Sequence, residues 1–234
     1  RAAIREGFMK VLHLFSDWKW TGPADPVVSL CRELERRGFD ITLACRKPPV
    51  IHPQNLEGKA QERGVKVDTR FHLNRYFALR ENILDFWALP RYLEREKIDL
   101  VHTHLSHDHV LGALALWRCR RPMALVRTNH KGIPLPAPWW NQFFLSRFTD
   151  HIITISKVSQ EQDRFNFGFS AHKVSLIRGA IDASRFTPRQ RDPELARSLG
   201  INGGGPVLGI VARMQRHRRF PELLEAVARA HQKL

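Results

Sequence analysis

The chain has 234 residues, 43% hydrophobic and 26% charged, which suits one or two soluble globular domains with a sizeable core. No stretch approaches the roughly 18 apolar residues of a membrane span. Cys31, Cys45 and Cys119 have no metal-site spacing and fit free, mostly buried thiols in a reducing compartment. With 38 lysines and arginines against 23 acidic residues, the formal charge is +15. That favours anions such as nucleotide phosphates, nucleic acid or acidic lipid headgroups. Because the charge is spread along the chain, it also reads as a solvated basic surface.

Residues 1–8 carry Arg1, Arg5 and Glu6 without an apolar signal-peptide core and read as a tag remnant or disordered start. Lys10–Phe15 is a first strand. Asp25-Pro26 offers an N-cap with proline at the first helical position. Val27, Leu30, Cys31 and Leu34 then fall at i, i+3, i+4 and i+7, an amphipathic stripe that Gly38 ends. Asp40–Cys45 is the second strand and Val65 through Phe71 the third. Residues 81–97 form a helix that Pro90 kinks. The strand Asp99–His104 precedes an apolar helix, Val110–Arg120, that stops before Pro122. Met123–Thr128, His151–Ser156 and Val174–Ile177 are further strands. This alternation predicts an α/β, doubly wound parallel sheet with right-handed crossovers.

Pro188, Pro193 and clustered charges mark a linker over 181–205, so residues 9–180 form one domain and 206–234 open a second. Gly203-Gly204-Gly205-Pro206 reads as a flexible turn. The apolar run behind it reads as a buried strand. Arg213 and Arg218 follow its carboxyl end, where open α/β sheets bind ligands and guanidinium forks suit phosphate oxygens. Residues 221–227 begin a helix.

His102, His104, His107 and His109 are the densest histidine group. His-x-His at a strand end suggests a metallo-hydrolase, but Ser106 stands where that signature needs aspartate, and no metal is expected. His102 and His104 share one strand face, and residues from His107 onward aim elsewhere. Residues 134–148 mix aromatics with basic neighbours. They read either as an interfacial helix on anionic lipid or as aromatics packed on the sheet.

Four landmarks in order resemble the retaining glycosyltransferases of the GT-B fold, family four: Thr21-Gly22-Pro23-Ala24-Asp25 after the first strand; Asp99-Leu100-Val101-His102-Thr103-His104; Ile177-Arg178-Gly179-Ala180-Ile181-Asp182 with Phe186; and Ala212-Arg213-Met214-Gln215-Arg216-His217-Arg218-Arg219. There are departures. Pro23 replaces a loop glycine and removes an N–H. Arg218 replaces a lysine, a planar fork in place of a point charge. Arg219 replaces a glycine, and Gly179 and Ala180 replace Asn-Gly. The paired glutamates of the family's donor motif do not occur within the 234 residues.

The resemblance implies two Rossmann-like domains, the second truncated here, and transfer of a sugar from a nucleotide-sugar to a hydroxyl. The acceptor is expected to be a lipid-linked or cell-envelope glycan, as in lipopolysaccharide biosynthesis. It implies Gly22, Arg213 and Arg218 on the donor phosphates, His130 as the catalytic-site residue, and His104, Asn129 and Trp18 on the acceptor side. The nucleotide-sugar is a substrate, and no cofactor is expected. The expected setting is cytoplasmic, peripheral at the inner face of an anionic membrane, without nucleic acid. The segment 206–234 is expected to be mobile, to pack on the first domain or to drive self-association, and the 234 residues alone are expected to be inactive. The alternatives are a metal-dependent hydrolase using His102 and His104, and a non-catalytic binding module.

Overall fold

The computed structural model describes residues 9–184, 186–201, 203, 207–212 and 214–232; the segment 1–8 and Arg213 therefore lie outside the described residues. The chain divides into two compact units, Arg1–Ile181 and Asp182–Leu234.

The first unit runs β1 (Lys10–Phe15), α1 (Ala24–Arg36), β2 (Asp40–Cys45), α2 (Leu56–Gln61), β3 (Val67–Asp68), α3 (Leu79–Arg95), β4 (Leu100–Thr103), α4 (Ser106–Arg118), β5 (Ala124–Asn129), α5 (Trp139–Phe148), β6 (His151–Thr154), α6 (Lys157–Phe167) and β7 (Val174–Leu176). The sheet order is β3-β2-β1-β4-β5-β6-β7, and every pair is parallel. This is the doubly wound, Rossmann-like α/β class. The order reverses between β1 and β4, and such a switch point opens a crevice at the carboxyl ends of the strands.

Strand alternation splits the core. Leu12, Leu14, Val101 and Leu125 face one side with Leu89 and Leu93 of α3 and Leu111 of α4. Val11, Phe15, Ile41 and Leu43 face the other with Val27, Val28 and Cys31 of α1. Each such buried side chain contributes about 1.5–3 kcal/mol. A smaller cluster of Leu135, Leu145, Ile152, Phe167 and Val174 covers the β6–β7 side.

Several local expectations need correction. Helix α1 starts at Ala24 with Pro23 as its N-cap. Asp25 caps nothing and pairs with Arg63 at 2.7 Å. Val28 is buried while Leu30 is exposed, which rotates the stripe. Gly38 does end α1, at φ 87°. The third strand shrinks to Val67–Asp68, because Asp85 takes the backbone N–H groups of His72 and Leu73 at 2.9 and 2.8 Å and draws that segment out of the ladder. Helix α3 begins at Leu79 and continues through Pro90. Helix α4 begins four residues before the expected Val110, since Asp108 accepts the Leu105 N–H at 2.8 Å and stabilises an earlier first turn. Helices α2 and α6 arise from caps that short-range patterning left unread, and α5 follows Pro138 with no side-chain cap. Asn55 accepts from the Gly58 N–H at 2.7 Å, and Gly168 closes α6 in the left-handed region.

In the second unit, α7 (Pro193–Ser198) and α8 (Phe220–His231) form. The expected strand does not: described residues 207–212 are irregular, with Val207, Leu208 and Ile210 exposed. A strand needs a neighbour for its N–H and C=O groups, and no strand exists among the described residues of this unit.

Candidate active site at the carboxyl ends of the parallel strands

At the switch point the sheet register sets His13 of β1 beside His102 of β4. His104 follows on the same face, just past β4, with its ring 4.4 Å from that of His102. His130 stands just past β5. The rings form a chain. His13 Nδ1 and His104 Nε2 share a hydrogen bond of 3.0 Å, as do His104 Nδ1 and His130 Nε2. His102 Nε2 lies 2.7 Å from Thr128 Oγ1. Burial keeps all four neutral: it lowers His13 to about 3 and His130 to about 4, and takes His102 and His104 well below the usual imidazole value. Positive charge on Arg127 adds to the effect at His102, His104 and His130. At neutral pH these imidazoles exchange hydrogen bonds without carrying charge.

A buried ion pair lies behind them. Arg127 Nη1 is 3.3 Å from Asp108 Oδ1. Asp108 also accepts the backbone N–H of Ser16 at 3.1 Å, while its own N–H donates to Ser16 Oγ at 3.2 Å. One carboxylate thus ties the end of β1, the first turn of α4 and β5. Burial pushes Asp108 up and Arg127 down, each toward its neutral form, and their mutual attraction opposes both shifts.

The loop after β1 is fixed next. Asp17 accepts the N–H groups of Trp18 and Lys19 at 2.8 and 3.1 Å, and its second oxygen pairs with Arg75 at 3.0 Å. Lys19 bridges to Asn55. Half-buried Trp18 sets its ring edge-on to His52 and lines a cleft of about 380 Å³ with Lys19, Arg46, Asn74, Arg75 and Glu81.

The sequence-predicted residues divide as follows. His104 and His130 are in direct contact. Gly22 lies in the β1–α1 loop at the same end of the sheet. Its φ is not positive, and an added Cβ would meet nothing within 4 Å, so the fold itself does not demand glycine there. Asn129 is buried and spends its amide on its own turn: Oδ1 accepts the Lys131 N–H and Nδ2 donates to the Ile133 carbonyl, both at 3.0 Å. That shapes the loop carrying His130. Arg218 is exposed in a single 3₁₀ turn of the second unit. His107 and His109 point away from the cluster, to Asn82 and to Thr149. His13, Asp17, Arg75 and the Asp108–Arg127 pair were not expected, since each depends on strand order or on partners far along the chain.

For a metal, His13, His102 and His104 offer ring nitrogens within 4.8 Å of one another. Both nitrogens of His104 are already hydrogen-bonded, so an ion would have to displace one of those bonds. The nearby carboxylate, Asp108, is held by Arg127.

The family model for Glycosyltransferase Family 4 matches residues 22–185. The chain belongs to glycosyltransferase family 4. A relative, the UDP-Gal:alpha-D-GlcNAc-diphosphoundecaprenol alpha-1,3-galactosyltransferase of Escherichia coli, is 25% identical over 190 residues, 77% of this chain and 47% of that protein. The crystal structure of a glycosyltransferase from Rickettsia africae shares the fold with a TM-score of 0.76 at 12% identity, covering 95% of this chain and 57% of its own. The lipopolysaccharide outer core galactosyltransferase WaaB has a TM-score of 0.57 at 13% identity, over 74% of this chain and 46% of its own. The family 4 chain thus spans about half the length of these relatives. Membership sets aside the metallo-hydrolase reading of His102 and His104.

Proposed function

We propose that this chain supplies the acceptor-side half of a retaining, nucleotide-sugar-dependent glycosyltransferase that acts on a hydroxyl of a lipid-linked or cell-envelope glycan. The observation that carries the reading is the family 4 match over 22–185, a span that begins at Gly22, at the end of the β1–α1 loop, and takes in the His104–His130 contact. The name of the Escherichia coli relative, with its diphosphoundecaprenol-linked acceptor, supports the lipid-linked class. In this reading neutral His130 hydrogen-bonds the reacting sugar, and the ring chain through His104 to His13 fixes its orientation. The Gly22 loop lets backbone N–H groups approach the donor phosphates at the start of α1, and Trp18 borders the acceptor. The proton of the attacking hydroxyl passes to a donor phosphate oxygen as the sugar is attacked on its front face. The protein's part is then to stabilise the leaving diphosphate, which falls to Arg213 and Arg218 of the second unit. No metal is needed for that step.

No described helix is long and apolar enough to cross a membrane. We place the protein at the cytoplasmic face of a membrane as a peripheral enzyme, held by its basic surface and by exposed Trp139 and Phe143 of α5. Exposed Val207, Leu208, Leu223 and Leu224 in the second unit support self-association. The 234 residues alone are expected to show no turnover. The test uses a protein carrying both domains, assayed against a panel of nucleotide sugars and lipid acceptors. Arg213→Ala and Arg218→Ala should each lower turnover tens- to thousands-fold, roughly 2–4 kcal/mol of transition-state stabilisation. Near-unchanged turnover in both rejects their role, and robust transfer by the 234 residues alone rejects the division of labour.

A further inference from the structure

Helices α3 and α4 are apolar on two sides. Their inner faces enter the core. Their outer faces carry Leu79, Ile83 and Phe86 on α3, spaced i, i+4, i+7, and Val110, Leu114 and Trp117 on α4 with the same spacing. Leu79 and Trp117 are 63% and 66% exposed. A surface helix normally turns such a row inward and presents charge outward, so an exposed row of this extent marks a binding surface. The two rows do not make a flat patch. All of these residues but Trp117 line, with Tyr76, Phe77 and Trp140, a groove of about 620 Å³, within the range of about 300–1,000 Å³ typical of small-molecule sites.

This groove adjoins the cleft beside the end of β1, and the two share Arg75, Tyr76 and Phe77. Arg75 is thus a cation at the junction. On its far side the cleft adds Lys19 and Arg46 together with Asp17, Asn74 and Glu81, three cations to two carboxylates. Arg75 is half-exposed and anchored by Asp17 at 3.0 Å, which leaves the rest of its fork for an oxyanion.

We propose that this path binds a polyprenyl-diphosphate-linked sugar, with the first isoprene units in the α3–α4 groove, the diphosphate at Arg75, and the saccharide in the cleft beside β1. An apolar trough that ends at a cation and opens on hydrogen-bonding side chains supplies the partners that the hydrocarbon, the diphosphate and the sugar of such a molecule need. A flat bilayer contact would need a convex apolar face, whereas this one is concave and ends at a cation. The inference rests on the lipid-linked acceptor reading and assigns it a place.

The experiment measures binding by the 234-residue chain, read as tryptophan fluorescence and by calorimetry. The probes are geranylgeranyl diphosphate, geranylgeraniol, inorganic diphosphate and phosphatidylglycerol vesicles. Saturable binding of geranylgeranyl diphosphate is expected, stronger than that of either half alone. Arg75→Ala should weaken the diphosphate probe about ten-fold, the loss of one charge-assisted contact, and leave geranylgeraniol unchanged. Ile83→Asp, at a residue 48% exposed and so tolerant of change, should weaken both; thermal melts confirm that each variant folds. Absence of saturable binding, or binding indifferent to both substitutions, overturns the assignment. So does binding to vesicles alone, which would make the surface a membrane dock. Since no turnover is read, failure here is separate from failure of the transferase reading, which the two-domain transfer assay decides.

Discussion

Acid should unfold this protein through its histidines. His13, His102, His104 and His109 are all buried, and burial holds each far below the ordinary imidazole value. Unfolded, each titrates near 6.5. Below that pH the unfolded chain binds more protons than the native one, and stability falls. Between about pH 7.5 and 5.5 each histidine that stays neutral in the fold costs about 1.4 kcal/mol, hence about 5 kcal/mol for the four. Asp108 works in the opposite sense. Burial pushes it up to about 7, so over the same interval it is protonated in the fold and returns about 2 kcal/mol. Glu35, Asp85 and Asp163, also raised by burial, pull the same way. The net loss from the four histidines and Asp108 is therefore about 3–4 kcal/mol, a large part of a typical domain's stability; His130, also held neutral, adds to it and the three carboxyls subtract. Urea titrations at the two pH values, followed by circular dichroism, measure it. His109→Gln, which keeps a partner for Thr149, should flatten the pH dependence by about 1.4 kcal/mol. A wild-type stability unchanged over the interval, or a variant retaining the whole dependence, would refute the argument.

Asp108→Ala should cost about 3–5 kcal/mol, because it strands Arg127 as a buried unpaired cation; a shift in the urea midpoint measures it, and a loss under about 1 kcal/mol would mean that Arg127 finds water. Gly22→Val should leave the melting temperature unchanged, since nothing lies within 4 Å of the added Cβ, yet weaken nucleotide-sugar binding by the two-domain protein in calorimetry. Purified protein should carry no stoichiometric zinc by elemental analysis, because the ring nitrogens of His104 are committed to His13 and His130. One zinc per chain that is lost on His102→Ala would reverse that assignment.

Strands β1, β2, β4 and β5 were legible because each carries a short apolar core, Val11-Leu12, Leu43-Ala44, Leu100-Val101 and Leu125-Val126, as parallel strands buried on both faces do. The split between His102/His104 and His107/His109 was legible too, from the change of period where strand gives way to helix. Strand order was not. Nothing near His13 says that β1 lies against β4, so its place in the ring chain stayed hidden, as did the pairing of Asp108 with Arg127. That the Asn129 amide shapes the turn before Ile133 is also visible only in coordinates. The expected strand at 207–212 followed from composition alone. Pairing partners, absent among the described residues of that unit, decide whether such a run becomes a strand.

The central position of β1 has a consequence for biosynthesis. Its partner on one side, β2, follows at once, but its other neighbour is joined only when Asp99 arrives to accept the Lys10 N–H, 89 residues later. At about 5–20 residues per second a ribosome needs roughly 4–18 s to supply that stretch. Throughout that interval the nascent chain presents an open, apolar sheet edge, the kind that recruits stray strands. Until α3 emerges, only the face of β1 that α1 covers is shielded, and even then the edge stays open. Expression at low temperature, which lengthens the wait, should therefore make this protein more dependent on chaperones that hold unpaired edges than its finished fold would suggest.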